Sequence, residues 1–245
     1  MNTRIATANI LMSKSTLHLD VADFHAHILP GADHGSYSVT ESVKQLEMAA
    51  QYGVKRIVAT PHFYPNTHTI QSFLARRDTA CNMLAPAIFE GAPKISLGAE
   101  VLLCPGLERM PSLDKLFINE TNSILLEMPF SGVSDECVLS VSRLVKSGVD
   151  VILAHADRYD MQTVEKMISV GARVQLNVAP ICSVFARKKV RWLFDKRLVV
   201  AIGSDIHNLD KSAYKNFSKA LLIMKDYSNF IKTESDKIFN ASILK

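Results

Sequence analysis

The sequence predicts an α/β fold, a parallel β/α barrel of the TIM-like type. Three observations predict it. The 245 residues are about the length that one such barrel needs. Short apolar runs alternate with longer amphipathic segments, and every apolar run ends in a polar residue. Such alternation is typical of parallel strands joined by right-handed helical crossovers.

The apolar runs are predicted as strands, because they are rich in Val, Ile and Leu without strict alternation, as strands covered on both faces are. The seven runs span residues 17–24, 54–60, 95–99, 124–126, 149–154, 172–176 and 198–203. The segments between them are predicted as helices. Ser38 and Glu41 form a capping-box pattern at the start of the first helix, and Gly53 stands where a C-terminal glycine cap belongs.

Composition sets the domain limits and excludes several classes of function. Residues 1–16 are predicted as a loose N-terminal extension, with too short an apolar patch for a secretory signal, and residues 17–245 as a single domain.

A net charge of +4 argues against nucleic-acid binding, and the basic triplet 187–189 is interpreted as a solvated helix face. No apolar run is long enough to cross a membrane. Four scattered cysteines without a CxxC pair fit a cytoplasmic protein; the oligomeric state stays open.

Polar side chains stand at the carboxyl ends of the predicted strands, where a barrel brings distant residues together. They are Asp23, His25, His27, His62, Glu100, Glu127, His155, Asn177, Asp205 and His207. His25 and His27 are two residues apart, so both side chains can reach one ion. A lone His-x-His motif is weak evidence, but His and carboxylate side chains at so many strand ends form a suitable shell for Zn²⁺, Mn²⁺ or Fe²⁺. The sequence therefore predicts a metal cluster suited to phosphate-ester hydrolysis.

Several segments carry a family resemblance. Asp-Phe-His-Ala-His-Ile-Leu-Pro-Gly (23–31), Ala-Thr-Pro-His (59–62), Gly-Ala-Glu (98–100), Leu-Leu-Glu-Met-Pro-Phe (125–130), Ile-Leu-Ala-His-Ala-Asp-Arg-Tyr (152–159) and Gly-Ser-Asp-Ile-His-Asn (203–208) resemble the PHP (polymerase and histidinol phosphatase) superfamily. Within it, the chain is most similar to bacterial protein-tyrosine phosphatases encoded with capsule and exopolysaccharide genes. From Asp23 to the C-terminus, the resemblance implies a distorted seven-stranded barrel with three metal ions, manganese first, and Fe, Co²⁺ or Zn²⁺ as alternatives.

The resemblance also implies roles for single residues. One ion is expected to bind His25, His27, Glu100 and Asp205, with Glu100 bridging to a second ion that also takes Glu127 and His155. The third is expected to take His62, His207 and a ligand from the first loop. Arg158 is expected to bind the substrate phosphate, because a guanidinium fork matches phosphate oxygens.

Two positions depart from the family pattern. His34 replaces the second aspartate of the first loop; it is the expected ligand there, with Asp33 as the alternative. Ser212 replaces an arginine that assists phosphate binding, and Lys211 stands one residue off register as a substitute. Phe63 and Tyr64, which follow His62, are candidate walls of a cleft for tyrosine.

The resemblance implies a cytoplasmic metal-dependent protein-tyrosine phosphatase, acting through a metal-activated hydroxide on the phosphotyrosine tail of a kinase of polysaccharide export. Asp205, His207 or a metal-bound water is expected to protonate the leaving group. Two alternatives stay open. One is a small-molecule phosphatase of the same superfamily, acting on histidinol phosphate or a nucleotide. The other is a weakly active metal-binding regulatory module.

Two further enzyme classes are disfavoured. Cys137 and Arg143 have the Cys-x5-Arg spacing of thiol-dependent tyrosine phosphatases, but the residues between them lack glycine and follow a helical pattern. Cys137 is therefore predicted as an ordinary helix residue. An amidohydrolase also begins with His-x-His, but it commonly bridges its metals through a modified lysine at the end of strand four, where this chain has Glu127.

Overall fold

The computed structural model describes residues 22–240 and shows one parallel sheet with helices packed against it. The extension 1–16 and the first residues of the first predicted strand lie outside this range. The strands are β1 Asp23–Ala26, β2 Arg56–Ala59, β3 His62–Phe63, β4 Lys94–Leu97, β5 Glu100–Leu102, β6 Ser123–Glu127, β7 Asp150–Leu153, β8 Arg173–Asn177 and β9 Val199–Gly203. Their order is β3-β5-β6-β7-β8-β9-β1-β2-β4, and all pairs are parallel.

The prediction of seven strands is wrong in number, because the described sheet has nine. Two strands are interrupted where predicted runs end: Thr60 and Pro61 separate β2 from β3, and Gly98 and Ala99 separate β4 from β5, so β3 and β5 lie beyond the predicted limits of these runs. Proline has no N–H to continue a ladder, and at Gly98 a Cβ atom would lie 3.1 Å from Ile118 Cγ1. β3 and β4 lie at the two ends of the sheet order. Because β2 continues along the chain into β3, and β4 into β5, the two ends of the sheet are connected and the barrel arrangement is retained.

The helices are α1 Val39–Gln51, α2 Ile70–Leu84, α3 Asp135–Lys146, α4 Met161–Ser169, α5 Val178–Ile181, α6 Arg187–Asp195, α7 Lys211–Ile223 and α8 Ser228–Asn240. Ser38 caps α1 by accepting a hydrogen bond from Glu41 N at 3.2 Å, but the Glu41 carboxylate accepts from Tyr37 N instead of Ser38 N. Half of the predicted capping box is therefore present. Gly53 has φ +83°, which confirms the predicted glycine cap. Within residues 22–240, no helix is long and apolar enough to span a bilayer.

Helix α8 closes the end of the barrel where the strands begin. Arg56 and Arg173, the first residues of β2 and β8, bond Asp236 and Glu234 of α8. The Phe239 ring of α8 packs edge-on against Phe24, with 5.2 Å between the ring centroids. The carboxyl ends of the strands lie at the opposite end of the barrel, where the polar residues singled out in the sequence stand.

Candidate metal centre

The structure brings the predicted ligands to one edge of the sheet. Strand register sets part of the arrangement: His62 of β3 pairs with Glu100 of β5, and Leu102 pairs with Glu127 of β6. His27 directly follows β1, and Asp205 lies just beyond β9. The backbone N of Asp205 donates to His25 O at 2.7 Å. The side chains therefore converge because parallel strands end at the same edge.

One group of ligand atoms has the spacing of a single ion's shell. His25 Nε2 lies 3.0 Å from His27 Nε2, and Glu100 Oε2 lies 3.1 and 3.2 Å from these two nitrogens. Asp205 Oδ1 is 3.5 Å from both. Ligand atoms each about 2.0–2.2 Å from one ion lie roughly 3.0–3.5 Å from one another. These four residues can therefore hold one ion.

Glu100 directs its second oxygen towards a neighbouring group. Its Oε1 lies 2.7 Å from His155 Nε2, which is itself 3.7 Å from Glu127 Oε1. With Oε2 facing His25 and His27, the carboxylate is placed to bridge two ions. This is the arrangement that the resemblance implies.

A further group joins ligand atoms of His27, His62 and His207, all within 4.8 Å of one another. His34, the expected ligand from the first loop, is exposed beside this group, with its ring centroid 4.9 Å from that of His62 and 4.7 Å from that of His207. His34 is thus near enough to contribute, and its role as a ligand stays a prediction.

The cluster contains buried polar atoms that lack a hydrogen-bond partner. Among the described residues these include Glu100 Oε2, His62 Nδ1 and His207 Nε2. Buried polar atoms are rarely left unpaired, because the loss of hydration is costly. All three atoms are good ligands of divalent ions, so the residues fit a metal centre.

The surrounding groups set which nitrogen of each histidine faces the centre. Four of the histidines have an oxygen partner at Nδ1: Asp33 Oδ2 for His27 at 2.6 Å, Gln175 Oε1 for His25 at 3.3 Å, the Tyr159 hydroxyl for His155 at 3.3 Å and Asp205 O for His207 at 3.0 Å. If these nitrogens carry the proton, Nε2 keeps its lone pair for an ion.

The Tyr159 hydroxyl is saturated by this arrangement. It accepts from Met128 N and donates to Met128 O, both at 3.1 Å, which leaves one lone pair for the N–H of His155. Neither Tyr159 nor Gln175 was predicted from the sequence to have a role at the site. Gln175 alternates with apolar residues in β8, and a buried polar residue in an apolar run is the signal that would have found it.

The charges of the cluster favour cations. Burial lowers the pKa of His25 and His27, but the neighbouring carboxylates of Glu100 and Asp205 outweigh it and raise both values. Burial, with the charge of Glu100, raises the pKa of Glu127 to about 7. Carboxylates that raise the pKa of neighbouring histidines would attract divalent ions by the same electrostatic effect.

Arg158 faces the same centre from the end of β7. Its guanidinium bonds the Asp205 carboxylate, and its side chain is 44% exposed. Lys189 donates to Ala156 O at 2.7 Å and to Asp157 O at 3.2 Å, and so anchors the loop that carries Arg158. In the basic triplet 187–189, Arg187 and Lys188 are exposed as predicted, but the interpretation as a solvated face is wrong for Lys189, because its ammonium group is half-buried and bonded to these carbonyls.

A cavity of about 730 Å³ opens over the centre. Its lining combines polar residues of the cluster with an apolar side: His34, His62, Tyr64, Glu100, Leu102, Glu127, Pro129, Phe130, Ser131, Arg158, Asp205 and His207. Arg158 and the candidate ligands therefore face one shared space, large enough for a small ligand.

Two predicted substrate contacts need correction. Phe63 is 0% exposed and packs edge-on against Phe73 at 5.4 Å, so it belongs to the core and not to the cleft; residues alternate in facing, and Tyr64 takes the cavity side. Lys211 is exposed in the first turn of α7, and it is not among the described residues that line the cavity.

The structure also argues against a thiol-dependent tyrosine phosphatase built on Cys137 and Arg143. Cys137 is buried in the first turn of α3, and Arg143 lies on the same helix, where it bonds Glu108 at 2.7 Å. A helix cannot wrap its backbone N–H groups around a phosphate at this position. Cys137 is an ordinary helix residue, as predicted.

The fold and the cluster define a β/α barrel protein with a candidate metal centre at the carboxyl edge of its sheet. A family model described as capsular polysaccharide synthesis, CpsB/CapC, matches residues 21–240, and the chain belongs to this family.

Individual relatives agree with this assignment. The chain is 26% identical over 208 residues to the tyrosine-protein phosphatase CpsB of Streptococcus pneumoniae, which covers 77% of this chain and 83% of that protein. It is 24% identical over 217 residues to the tyrosine-protein phosphatase YwqE of Bacillus subtilis, with 84% and 85% covered.

Solved structures show the same fold. A chain from the crystal structures of YwqE from Bacillus subtilis and CpsB from Streptococcus pneumoniae, described as metal-dependent tyrosine phosphatases, superimposes with a TM-score of 0.75 at 20% identity, over 91% of this chain and 94% of that one. A Xaa-Pro dipeptidase superimposes with a TM-score of 0.51 at 12% identity, over 91% and 76%. At these identities the likeness concerns the fold alone.

Proposed function

We propose that the protein is a metal-dependent phosphomonoester hydrolase that removes phosphate from tyrosine in proteins. The observation that carries this proposal is the joint placement of the histidine and carboxylate cluster and the Arg158 guanidinium on one cavity. The relatives named above are tyrosine-protein phosphatases, which supports the same substrate class.

The residues of the chain divide the work. His25, His27, Glu100, Glu127, His155, Asp205, His62 and His207 would hold the ions, which neutralise phosphate charge and lower the pKa of water when bound. Arg158 would leave Asp205 to form a bidentate contact with the phosphate oxygens. Asp205 and His207 line the same cavity and are the candidate side chains for protonating the leaving oxygen.

Finer features belong to the proposal as well. We expect three ions, with manganese first and Fe, Co²⁺ or Zn²⁺ as alternatives, as the family resemblance implies; imidazole and carboxylate donors suit ions of this class. The proposed partner is a phosphotyrosine-bearing kinase of polysaccharide export, in keeping with the capsular description of the family. The proposed location is the cytoplasm, where such a kinase tail would lie.

The alternative within the superfamily is a phosphatase of small molecules such as histidinol phosphate. The volume of the cavity and its exposed apolar side favour a larger aromatic ester over a small polar one. The regulatory-module alternative is weakened because groups of ligand atoms that could hold an ion form among the described residues without His34.

The test compares wild type and His155→Ala on a phosphotyrosyl peptide and on histidinol phosphate, with and without a chelator. We expect turnover of the peptide that the chelator abolishes and excess Mn²⁺ restores. His155→Ala should lose at least about 100-fold in kcat/KM, since a ligand is removed outright. Activity indifferent to both chelator and His155→Ala would contradict the metal-hydrolase proposal, and preference for histidinol phosphate would favour the alternative.

A further inference from the structure

The cavity has one apolar side, formed by Tyr64, Leu102, Pro129 and Phe130, which we call the aryl wall. Tyr64 follows β3, Leu102 ends β5, and Pro129 and Phe130 follow β6. These strands are consecutive in the sheet order β3-β5-β6. The four residues therefore form a continuous surface, and Arg158 follows β7, the next strand in that order.

Phe130 is the most unusual member of the wall, because its side chain is 85% exposed although it lines the cavity. It sits at the tip of a turn that is closed by Gly132 N donating to Pro129 O at 3.0 Å, with φ +96° at Gly132. A large apolar ring held in water gains free energy when a ligand covers it. Its exposure over the cavity points to a ligand with apolar surface.

The turn is fixed relative to the metal centre. Glu127, a candidate ligand, precedes Phe130 by three residues. Between them, both backbone polar groups of Met128 bond the Tyr159 hydroxyl at 3.1 Å, and the same hydroxyl faces His155. A ring that meets the wall is therefore held at a set position relative to the ligands.

Tyr64 supplies a second aromatic face. Its ring stacks on that of His62, with centroids 5.2 Å apart and an interplanar angle of 16°. Tyr64 N donates to His68 Nδ1 at 3.2 Å, which holds the backbone in place.

We propose that Phe130, with Tyr64 beside it in the aryl wall, is the residue that contacts the aromatic ring of the substrate and determines how tightly an aryl phosphate binds. This inference rests on the proposed function and deepens it. An alkyl phosphate can reach the ions and Arg158 but leaves Phe130 in water, whereas an aryl phosphate brings its ring against Phe130 and Tyr64. Aromatic contacts of this kind contribute on the order of tenfold in binding.

The experiment compares Phe130→Ala and Phe130→Leu with Phe185→Ala in the metal-loaded protein. Phe185 is a matched control, because its ring is also highly exposed and it is not among the described residues that line the cavity. Calorimetry measures binding of phenylphosphonate and methylphosphonate, which carry the same charge and cannot be hydrolysed. Turnover of phenyl phosphate and glycerol phosphate is measured in parallel.

We expect Phe130→Ala to weaken phenylphosphonate binding by about tenfold, with Phe130→Leu intermediate. Binding of methylphosphonate should stay unchanged in every variant, and Phe185→Ala should match wild type. The KM for phenyl phosphate should rise in Phe130→Ala more than its kcat falls. Equal losses for both phosphonates, or no loss for either, would overturn the proposed role of the aryl wall. Chelator-sensitive turnover in the same experiment would leave the proposed hydrolase intact. A wild type that hydrolyses neither ester with any divalent metal would overturn both.

Discussion

Asp33 Oδ2 lies 2.6 Å from His27 Nδ1, at the point where the first loop returns to the metal centre. The same carboxylate accepts hydrogen bonds from His62 N at 3.0 Å and, through Oδ1, from Gly35 N at 2.8 Å. Burial raises the pKa of Asp33, but His27 and these donors outweigh it and hold the pKa well below its usual range. Asp33 thus orients the ring of His27 and the backbone of His62. Both of its carboxylate oxygens are hydrogen-bonded to the protein itself.

The first prediction concerns this contact. Asp33→Asn keeps the shape of the side chain and removes its charge, so His27 is less firmly oriented and less basic. We expect metal affinity to fall about 10–100-fold, measured by equilibrium dialysis with elemental analysis, while the thermal midpoint changes little. Asp78→Asn is the control, because the Asp78 side chain is 60% exposed on α2. An unchanged metal affinity would mean that Asp33 is dispensable for the centre.

The second prediction concerns Tyr159. Tyr159→Phe removes the acceptor for His155 Nδ1 and both bonds to Met128. We expect weaker metal binding, by about tenfold or more, together with a raised KM for aryl phosphates, because the turn carrying Phe130 loses its anchor. Metal titration followed by steady-state kinetics at saturating metal separates the two effects. If neither quantity moves, the hydroxyl has no positioning role.

The third prediction concerns Arg158. Arg158→Lys keeps the charge but loses the planar fork, so we expect the inhibition constant of inorganic phosphate to rise about tenfold, and further in Arg158→Ala. Arg143→Ala is the matched control, because Arg143 is 49% exposed and bonds Glu108 away from the cavity. Competitive inhibition by phosphate is the measurement. Equal effects at the two arginines would show that Arg158 acts only through the net charge of the protein.

The fourth prediction concerns stability at two helix ends. Gly171 has φ +101° and a Cβ atom there would lie 2.7 Å from Val145 Cγ1, whereas Gly148 has φ +89° with nothing within 4 Å. Both alanine variants incur a backbone cost of about 1–2 kcal/mol, and Gly171→Ala adds a packing cost of about 1–3 kcal/mol. Urea midpoints should therefore fall further for Gly171→Ala. Equal midpoints would show that the Val145 side chain moves aside freely.

The fifth prediction concerns pH. Lys237 and Arg173 outweigh burial and lower the pKa of Glu234. Because the pKa is lower in the folded state than in the unfolded state, Glu234 stabilises the protein above its unfolded pKa, and this contribution is lost as pH falls through the folded value. Thermal midpoints of Glu234→Gln should therefore be lower than wild type at pH 7, and the difference should shrink as the pH is lowered into the acidic range. A constant difference across this range would contradict the linkage.

Much of the centre could be predicted from the sequence, because the ligands stand at strand ends that a parallel barrel must bring together. His25, His62 and Glu100 needed no more than that rule. The support around them could not be predicted in the same way. Gln175 and Tyr159 act through single hydrogen bonds to particular ring nitrogens, and such contacts depend on side-chain directions that strand order does not specify.

The aromatic residues show the same limit. Phe63 and Tyr64 are adjacent in sequence, but only Tyr64 faces the cavity, while Phe130 from another strand end supplies the exposed ring. The sequence by itself determined the fold class, the set of candidate ligands and the edge of the sheet where they meet, since hydrophobic periodicity and chain order carry that information. Only the tertiary structure decided that two strands split at Pro61 and Gly98, that Asp33 supports a ligand, and which rings face the cavity. These depend on packing at the scale of single atoms, which no periodicity in the chain encodes.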